Sequence, residues 1–171
     1  MSNETHTESW LEGPRSTKFY TRTYLPPSQK KPHTAVVFLH GFAEHIGRYT
    51  DYHSLYAARG IAIFTYDQRG YGLTAQDTTG KKSRTSSYGK TSWVEQMQDI
   101  AWAIQHAKKT FQDVPLFLMG HSMVCMVIRF LKYLSSHNII FREVAKFLVL
   151  PVKNMLQSHL SACPVSLQRA R

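Results

Sequence analysis

The chain has 171 residues, 43% of them hydrophobic and 19% charged, an ordinary globular composition that one domain with one core can accommodate. Its formal charge is +10, but residues 124–171 hold seven basic side chains against one acidic, so more than half of the excess sits in the last quarter. No dense basic block occurs, which argues against a nucleic-acid partner. No run nears ~18 apolar residues, which argues against a spanning helix, and Cys125 and Cys163 do not make a disulfide framework.

Taken in chain order, the polar start (Ser2 to His6) lacks the basic-then-apolar order of a signal peptide, so a cytoplasmic protein is expected. Gly13-Pro14 opens a turn. Lys18–Tyr24 alternates aromatic and polar residues, as a half-buried strand does. A proline-bounded loop follows, and then the apolar run Ala35–Leu39, the pattern of a strand covered on both faces. Arg48–Arg59 reads as a helix with Tyr52, Leu55 and Tyr56 inward, stopped by Gly60, and Ile61–Tyr66 as a second buried strand.

Residues 67–90 are rich in Gly, Ser and Thr and read as a long loop. Ser92 and Glu95 form a capping box, with Val94, Met97, Ala101, Ile104 and Phe111 on one face of the helix behind it. Leu116–Met119 is a third buried strand. Buried strands alternating with helices define an α/β class with a mostly parallel sheet, whose ligands gather at the carboxyl ends of the strands. The loops after Leu39, Tyr66 and Met119 are therefore the places to search.

After the third strand comes Gly120-His121-Ser122-Met123. A serine in a tight turn between strand and helix is a nucleophile elbow. The strained turn presents the hydroxyl, and the N–H of Met123 would face a developing oxyanion. The first strand ends in His40-Gly41-Phe42-Ala43-Glu44-His45, where the N–H of Phe42 would be the second donor and Gly41 permits close approach of backbone. His40 and His45 are read as structural. Two lookalikes are set aside. Gly70 to Ala75 matches a dinucleotide fingerprint, but Asp77 to Lys82 cannot continue as the required helix. Gly89-Lys90-Thr91 resembles the end of a phosphate loop, but no strand precedes it and Arg84 stands where the first glycine belongs.

The run His40 to Tyr49 closely resembles the HG-x-x-EH-x-x-RY signature of α/β-hydrolases of the monoacylglycerol lipase kind, with their lysophospholipase-like, serine aminopeptidase S33-like relatives. Its matching residues are His40, Gly41, Glu44, His45, Arg48 and Tyr49. Asp67-Gln68-Arg69-Gly70-Tyr71-Gly72 resembles the family's D-x-R-G-x-G turn, carried by Asp67, Arg69, Gly70 and Gly72. Gly120-His121-Ser122-Met123 matches the start of its GHSMGG elbow. The resemblance runs from about Trp10 to Met123. It implies Ser122 as nucleophile, Phe42 and Met123 as oxyanion donors, and an acyl-enzyme route without metal or cofactor. The implied partner is a small fatty-acyl monoester of glycerol, met at a membrane or lipid-droplet surface.

Past Met123 the pattern departs. The family continues Gly-Gly and this sequence reads Val124-Cys125, with a β-branched side chain expected to crowd the turn. The family's acid and histidine are absent in their usual form: after Ser122 stand one glutamate, Glu143, and two histidines, His137 and His159, and no aspartate. The expectation is two parts: residues 1–123 as the N-terminal part of a hydrolase domain that ends early, and residues 124–171 as a divergent basic tail. The strand at Leu116–Met119 is then expected to carry an open apolar edge unless Ile139–Phe141 or Phe147–Leu150 pairs there. Val-Cys can be encoded GTATGT, a common intron start, so the tail is expected to be unspliced read-through. Sequencing the transcript across the codon for Met123 checks this: a splice junction is expected there, and one uninterrupted exon would refute it.

Overall fold

The computed structural model describes residues 6–27 and 31–122, with the backbone of 142–144 and 147–151. Among these, seven strands form one sheet in the order β1-β2-β4-β3-β5-β7-β6. They are β1 Thr7–Glu12, β2 Lys18–Tyr24, β3 Thr34–Leu39, β4 Ile61–Tyr66, β5 Leu116–His121, β6 Arg142–Val144 and β7 Phe147–Pro151. The central trio β4-β3-β5 is parallel, and the outer pairings are antiparallel.

The three apolar runs are buried on both faces, as their lack of alternation implies. Val37, Leu39, Phe64 and Leu118 face a core shared with Ile100, Ile104 and Ala107 of the helix α3, Trp93–Thr110. Their chain neighbours Val36, Phe38, Ile63 and Met119 face the opposite core with Tyr49 and Ala57. Alternate residues of one strand thus serve two layers of helix.

The helix expected at 48–59 is split. Ile46–Tyr49 is a 3-10 turn and α1 spans Thr50–Ala58. Its inward face is Tyr49, His53 and Ala57, four apart, while Tyr52 is 65% and Leu55 55% exposed. The inward assignment of Tyr52, Leu55 and Tyr56 is therefore corrected: position along the helix decides the buried face, and bulk does not. On α3 the capping box is present, with the Glu95 N–H donating to Ser92 Oγ and that hydroxyl donating to Glu95 Oε2 at 2.7 Å. Val94 is exposed at 57% and Ala101 is half-buried; Ile100, Ala103, Ile104 and Ala107 carry the packing.

Three elements escaped the sequence reading, the short strand β6 among them. β1 is an edge strand with little burial and so no strong pattern. A short helix, α2 Gly72–Gln76, interrupts the expected loop. The chain starts it because Asp67 Oδ2 accepts from the Leu73 N–H at 2.6 Å, satisfying a free donor of the first turn. The expected open edge of β5 is occupied: Phe147–Pro151 pairs with it antiparallel, with His121 opposite Phe147 and Phe117 opposite Pro151. The proline is tolerated because β6 reaches only Val149, so at Pro151 the strand has a neighbour on one side alone. Ile139–Phe141, Cys125 and Cys163 lie outside the described residues.

His53 is 2% exposed among the rings of Tyr24, Phe38 and Tyr49. Among the described residues, neither of its nitrogens has a hydrogen-bond partner. Burial pushes its pKa down from 6.5 to about 3. The folded state therefore holds it neutral while the unfolded chain takes up a proton below pH 6.5, so this group erodes stability as pH falls through that window. We expect His53→Leu to gain on wild type by about 1.4 kcal/mol per pH unit below that value. Denaturant melts at neutral pH and at pH ~4.5 would show it; an unchanged difference would refute it.

Candidate active site

The chain runs from β3 to β4 on one side of β3 and then crosses to β5 on the other. The switch point is therefore the crevice between the carboxyl ends of β3 and β5, where an open α/β sheet binds its ligand. There Leu39 lies opposite Gly120, so the loop after β3 and the turn after β5 leave the sheet side by side.

Ser122 is exposed and has φ 57, in the left-handed region. A non-glycine residue held there stores strain, which is how a nucleophile elbow lifts its hydroxyl clear of the sheet. Gly41 shows how close the two segments come. A Cβ on it would stand 2.8 Å from Glu44 Oε2, 3.1 Å from His121 Nδ1 and 3.2 Å from Ser122 Cβ. Phe42 follows with its ring 62% exposed and edge-on to Tyr71, and Ala43 takes φ 57 to complete the turn.

The loop is pinned along its length. His40 is fully buried, and burial pushes it down to about 4, so it is neutral. Its Nε2 accepts from the Gln68 N–H at 2.9 Å, so Nδ1 carries the hydrogen and donates to the Gly41 carbonyl at 2.8 Å. At the far end Asp67 Oδ1 accepts from the Ile46 N–H at 2.7 Å, and Arg48 lies 3.8 Å from Glu44. Asp67 thereby joins the loop after β3 to α2. Gly72 must lack a side chain, since its Cβ would fall 2.1 Å from that carboxylate. Burial raises the Asp67 carboxyl, and the two N–H donors pull it back only in part. His45 is exposed at the start of the 3-10 turn and accepts the Arg48 N–H through its carbonyl.

Arg69 works behind the site. Its guanidinium grips Asp99 of α3 at 2.8 and 2.7 Å and donates to Thr17 and the Pro14 carbonyl, tying three segments together. The glycines of the two lookalike motifs meet each other: the Gly89 N–H donates to the Gly70 carbonyl at 2.8 Å, and a Cβ on Gly70 would stand 3.1 Å from the Lys90 backbone. Gly70 serves a close backbone crossing and Gly89 a turn with φ 71, which accounts for both glycines without a phosphate. Gln68, Asp99 and Thr17 were not singled out from sequence, because nothing local marks them: each acts through a partner distant in the chain.

Met123, Val124, His137 and His159 lie outside the described residues. Glu143 sits in β6, opposite Leu148, which is itself opposite Gly120, so its backbone is two strands from the elbow. Among the described residues no group of three or more His, Cys, Asp or Glu side chains could hold a metal, and no helix is long and apolar enough to cross a membrane.

This sheet order, elbow and adjoining glycine loop define the α/β-hydrolase fold. Two solved structures share it at 24% identity: a thermostable carboxyl esterase from Bacillus coagulans, with TM-score 0.61 over 79% of this chain and 41% of that one, and a soluble variant of Saccharomyces cerevisiae monoglyceride lipase, with TM-score 0.58 over 78% and 40%. The serine aminopeptidase S33 family model matches residues 30–131, and the chain belongs to that family. A Schizosaccharomyces pombe protein, provisionally named a monoglyceride lipase, is 37% identical over 104 residues, 61% of this chain and 25% of its own length. A Monkeypox virus monoglyceride lipase homologue is 33% identical over 105 residues, 61% and 34%. The chain thus spans a quarter to a third of the length of these relatives.

Asp99 is 2% exposed and its removal would strand the Arg69 charge. Asp99→Ala should therefore cost about 3–5 kcal/mol, read from denaturant midpoints. A loss below about 1 kcal/mol, the range of an exposed ion pair, would mean that Arg69 is not held by this pair.

Proposed function

We propose that this chain carries the nucleophile and oxyanion loop of a serine hydrolase that cleaves fatty-acyl monoesters of glycerol. The observation that carries the reading is the left-handed backbone of Ser122 at the end of β5, packed against Gly41. In this reading Ser122 Oγ attacks the ester carbonyl, and the N–H groups of Phe42 and Met123 take the oxyanion charge. Glycerol departs, and water then hydrolyses the acyl-enzyme. That chemistry asks for no metal or cofactor. The substrate class is supported by relatives named monoglyceride lipases. The setting in this reading is cytoplasmic, with substrate drawn from a membrane or lipid-droplet surface.

A serine hydroxyl needs a base, and the base an orienting acid. After Ser122 the sequence offers only Glu143, His137 and His159. In our reading these do not make a working triad, and a polypeptide of these 171 residues is inert alone. The second reading, a non-catalytic isoform, pseudoenzyme or misread product, is favoured by Val124-Cys125 standing where the family has Gly-Gly.

One pair of assays tests this. The 171-residue polypeptide should show no burst and no turnover on monoacylglycerols or p-nitrophenyl esters. Replacing residues 124–171 by a relative's sequence from its Gly-Gly onward should create esterase activity. Ser122→Ala should then lower it by about 10⁴-fold or more, and His45→Ala far less. A folded but inert graft would discard the reading, and Ser122-dependent turnover by the unaltered polypeptide would show that the tail supplies a base.

A further inference from the structure

The oxyanion loop and the elbow touch at Gly41, and one side chain spans the contact. Glu44 Oε2 lies 2.7 Å from the Gly41 nitrogen, 2.5 Å from the Tyr49 hydroxyl and 3.1 Å from His121 Nδ1. Tyr49 Oη is in turn 2.8 Å from His121 Nδ1. His121 is the residue before Ser122. One carboxylate oxygen therefore meets three donors drawn from the loop, from the 3-10 turn and from the end of β5.

The proton positions follow from the chemistry of the three groups. Burial pushes the Glu44 carboxyl up, but the bonds from Tyr49, the Gly41 N–H and His121 outweigh it and hold it below its ordinary value. An ionised carboxylate only accepts, so Tyr49 gives its single proton to Glu44. Burial and the neighbouring Glu44 accordingly push the Tyr49 hydroxyl well up. The Tyr49 oxygen is left as an acceptor, and His121 Nδ1 must carry a hydrogen to meet it. The single Nδ1–H is then shared in a three-centre bond between the Tyr49 oxygen at 2.8 Å and Glu44 Oε2 at 3.1 Å, which closes the triangle.

We propose that Glu44 is a positioning residue that couples the oxyanion loop to the nucleophile elbow, holding Gly41 directly and His121 both directly and through Tyr49. The coupling sets where the Phe42 N–H stands relative to the Ser122 hydroxyl; that consequence rests on the roles assigned above, while the coupling itself does not. A local turn lock would need only the Gly41–Glu44 bond and the return bond from the Glu44 N–H to the Gly41 carbonyl at 3.4 Å. The bonds to His121, 77 positions away, are what reach the elbow. Such a link costs no reorganisation at the moment of reaction, which is how preorganised donors act.

The test is NMR on the full chain, following backbone amides and the ring nitrogens of His121. In the wild type the Gly41 amide proton should lie far downfield, and His121 should show a protonated Nδ1. Glu44→Gln should move Gly41 upfield, shift His121 and Ser122 with it, and move the His121 ring toward the other tautomer. Tyr49→Phe keeps the ring packed on Phe38, so Gly41 should stay downfield while His121 and Ser122 move. Changes in Glu44→Gln confined to residues 41–45 would overturn the proposal. Should that variant fail to fold, Glu44→Asp, which draws the same carboxylate back, is read in its place: unmoved His121 and Ser122 signals there would overturn the proposal. The graft assay reads the chemistry separately: an inert graft with intact coupling removes the reaction and leaves the coupling standing.

Discussion

The pairing of β3 with β5 in parallel, with Leu39 opposite Gly120, is the constraint on which the site depends. It sends two turns out of the sheet at the same level, and they can share that space only because Gly41 has no side chain. Everything else in the region holds the chain in this arrangement. A Cβ at position 41 would meet a carboxylate, an imidazole and the serine Cβ at once. In the function proposed above, this close approach of backbone is what an oxyanion site requires, since donors must reach a charge that develops next to the nucleophile.

Two buried acids and one half-buried one do much of the holding, and each is matched to backbone donors or to a guanidinium. Asp67 takes the N–H groups of Ile46 and Leu73, Glu44 takes that of Gly41, and Asp99 takes Arg69. Carboxylates suit the task because one group can accept from two segments and leave no buried donor unmet. The three lie on different elements, so the loop after β3, α2 and α3 are fastened to one another as well as to the sheet. The neutral His40 completes the set: its Nε2 accepts from the Gln68 N–H and its Nδ1–H donates to the Gly41 carbonyl.

The far edge of the sheet is built differently. β7 returns antiparallel to β5, and β6 pairs beyond it, so the strand bearing the elbow is interior in its sheet. An apolar strand such as Leu116–Met119 is a liability at an edge, and pairing its free N–H and carbonyl groups removes that liability. Phe147–Leu150 was recognisable as a candidate for this place from its apolar run; which of the tail's two runs takes it is a matter of three-dimensional register.

The sequence alone determined the class of fold and the chemical candidates, because both are written in local patterns. Unbroken apolar runs at 35–39, 61–66 and 116–119 mean strands covered on both faces, Ser92 with Glu95 means a helix start, and Gly-His-Ser after a buried strand means an elbow. Tertiary structure alone decided the rest. It chose His53 and Ala57 over Tyr52 and Leu55 as the inward face of α1, because contact with β2, β3 and β4 rewards fit at a position and is indifferent to size elsewhere. It started α2 where composition suggested loop, because the capping carboxylate of Asp67 also had to serve Ile46. It turned Glu44, Tyr49 and His121 from three motif letters into one hydrogen-bonded triangle. Such links join residues tens of positions apart, and a pattern of period two or four cannot encode them; only the packing of β3 against β5 brings them within reach.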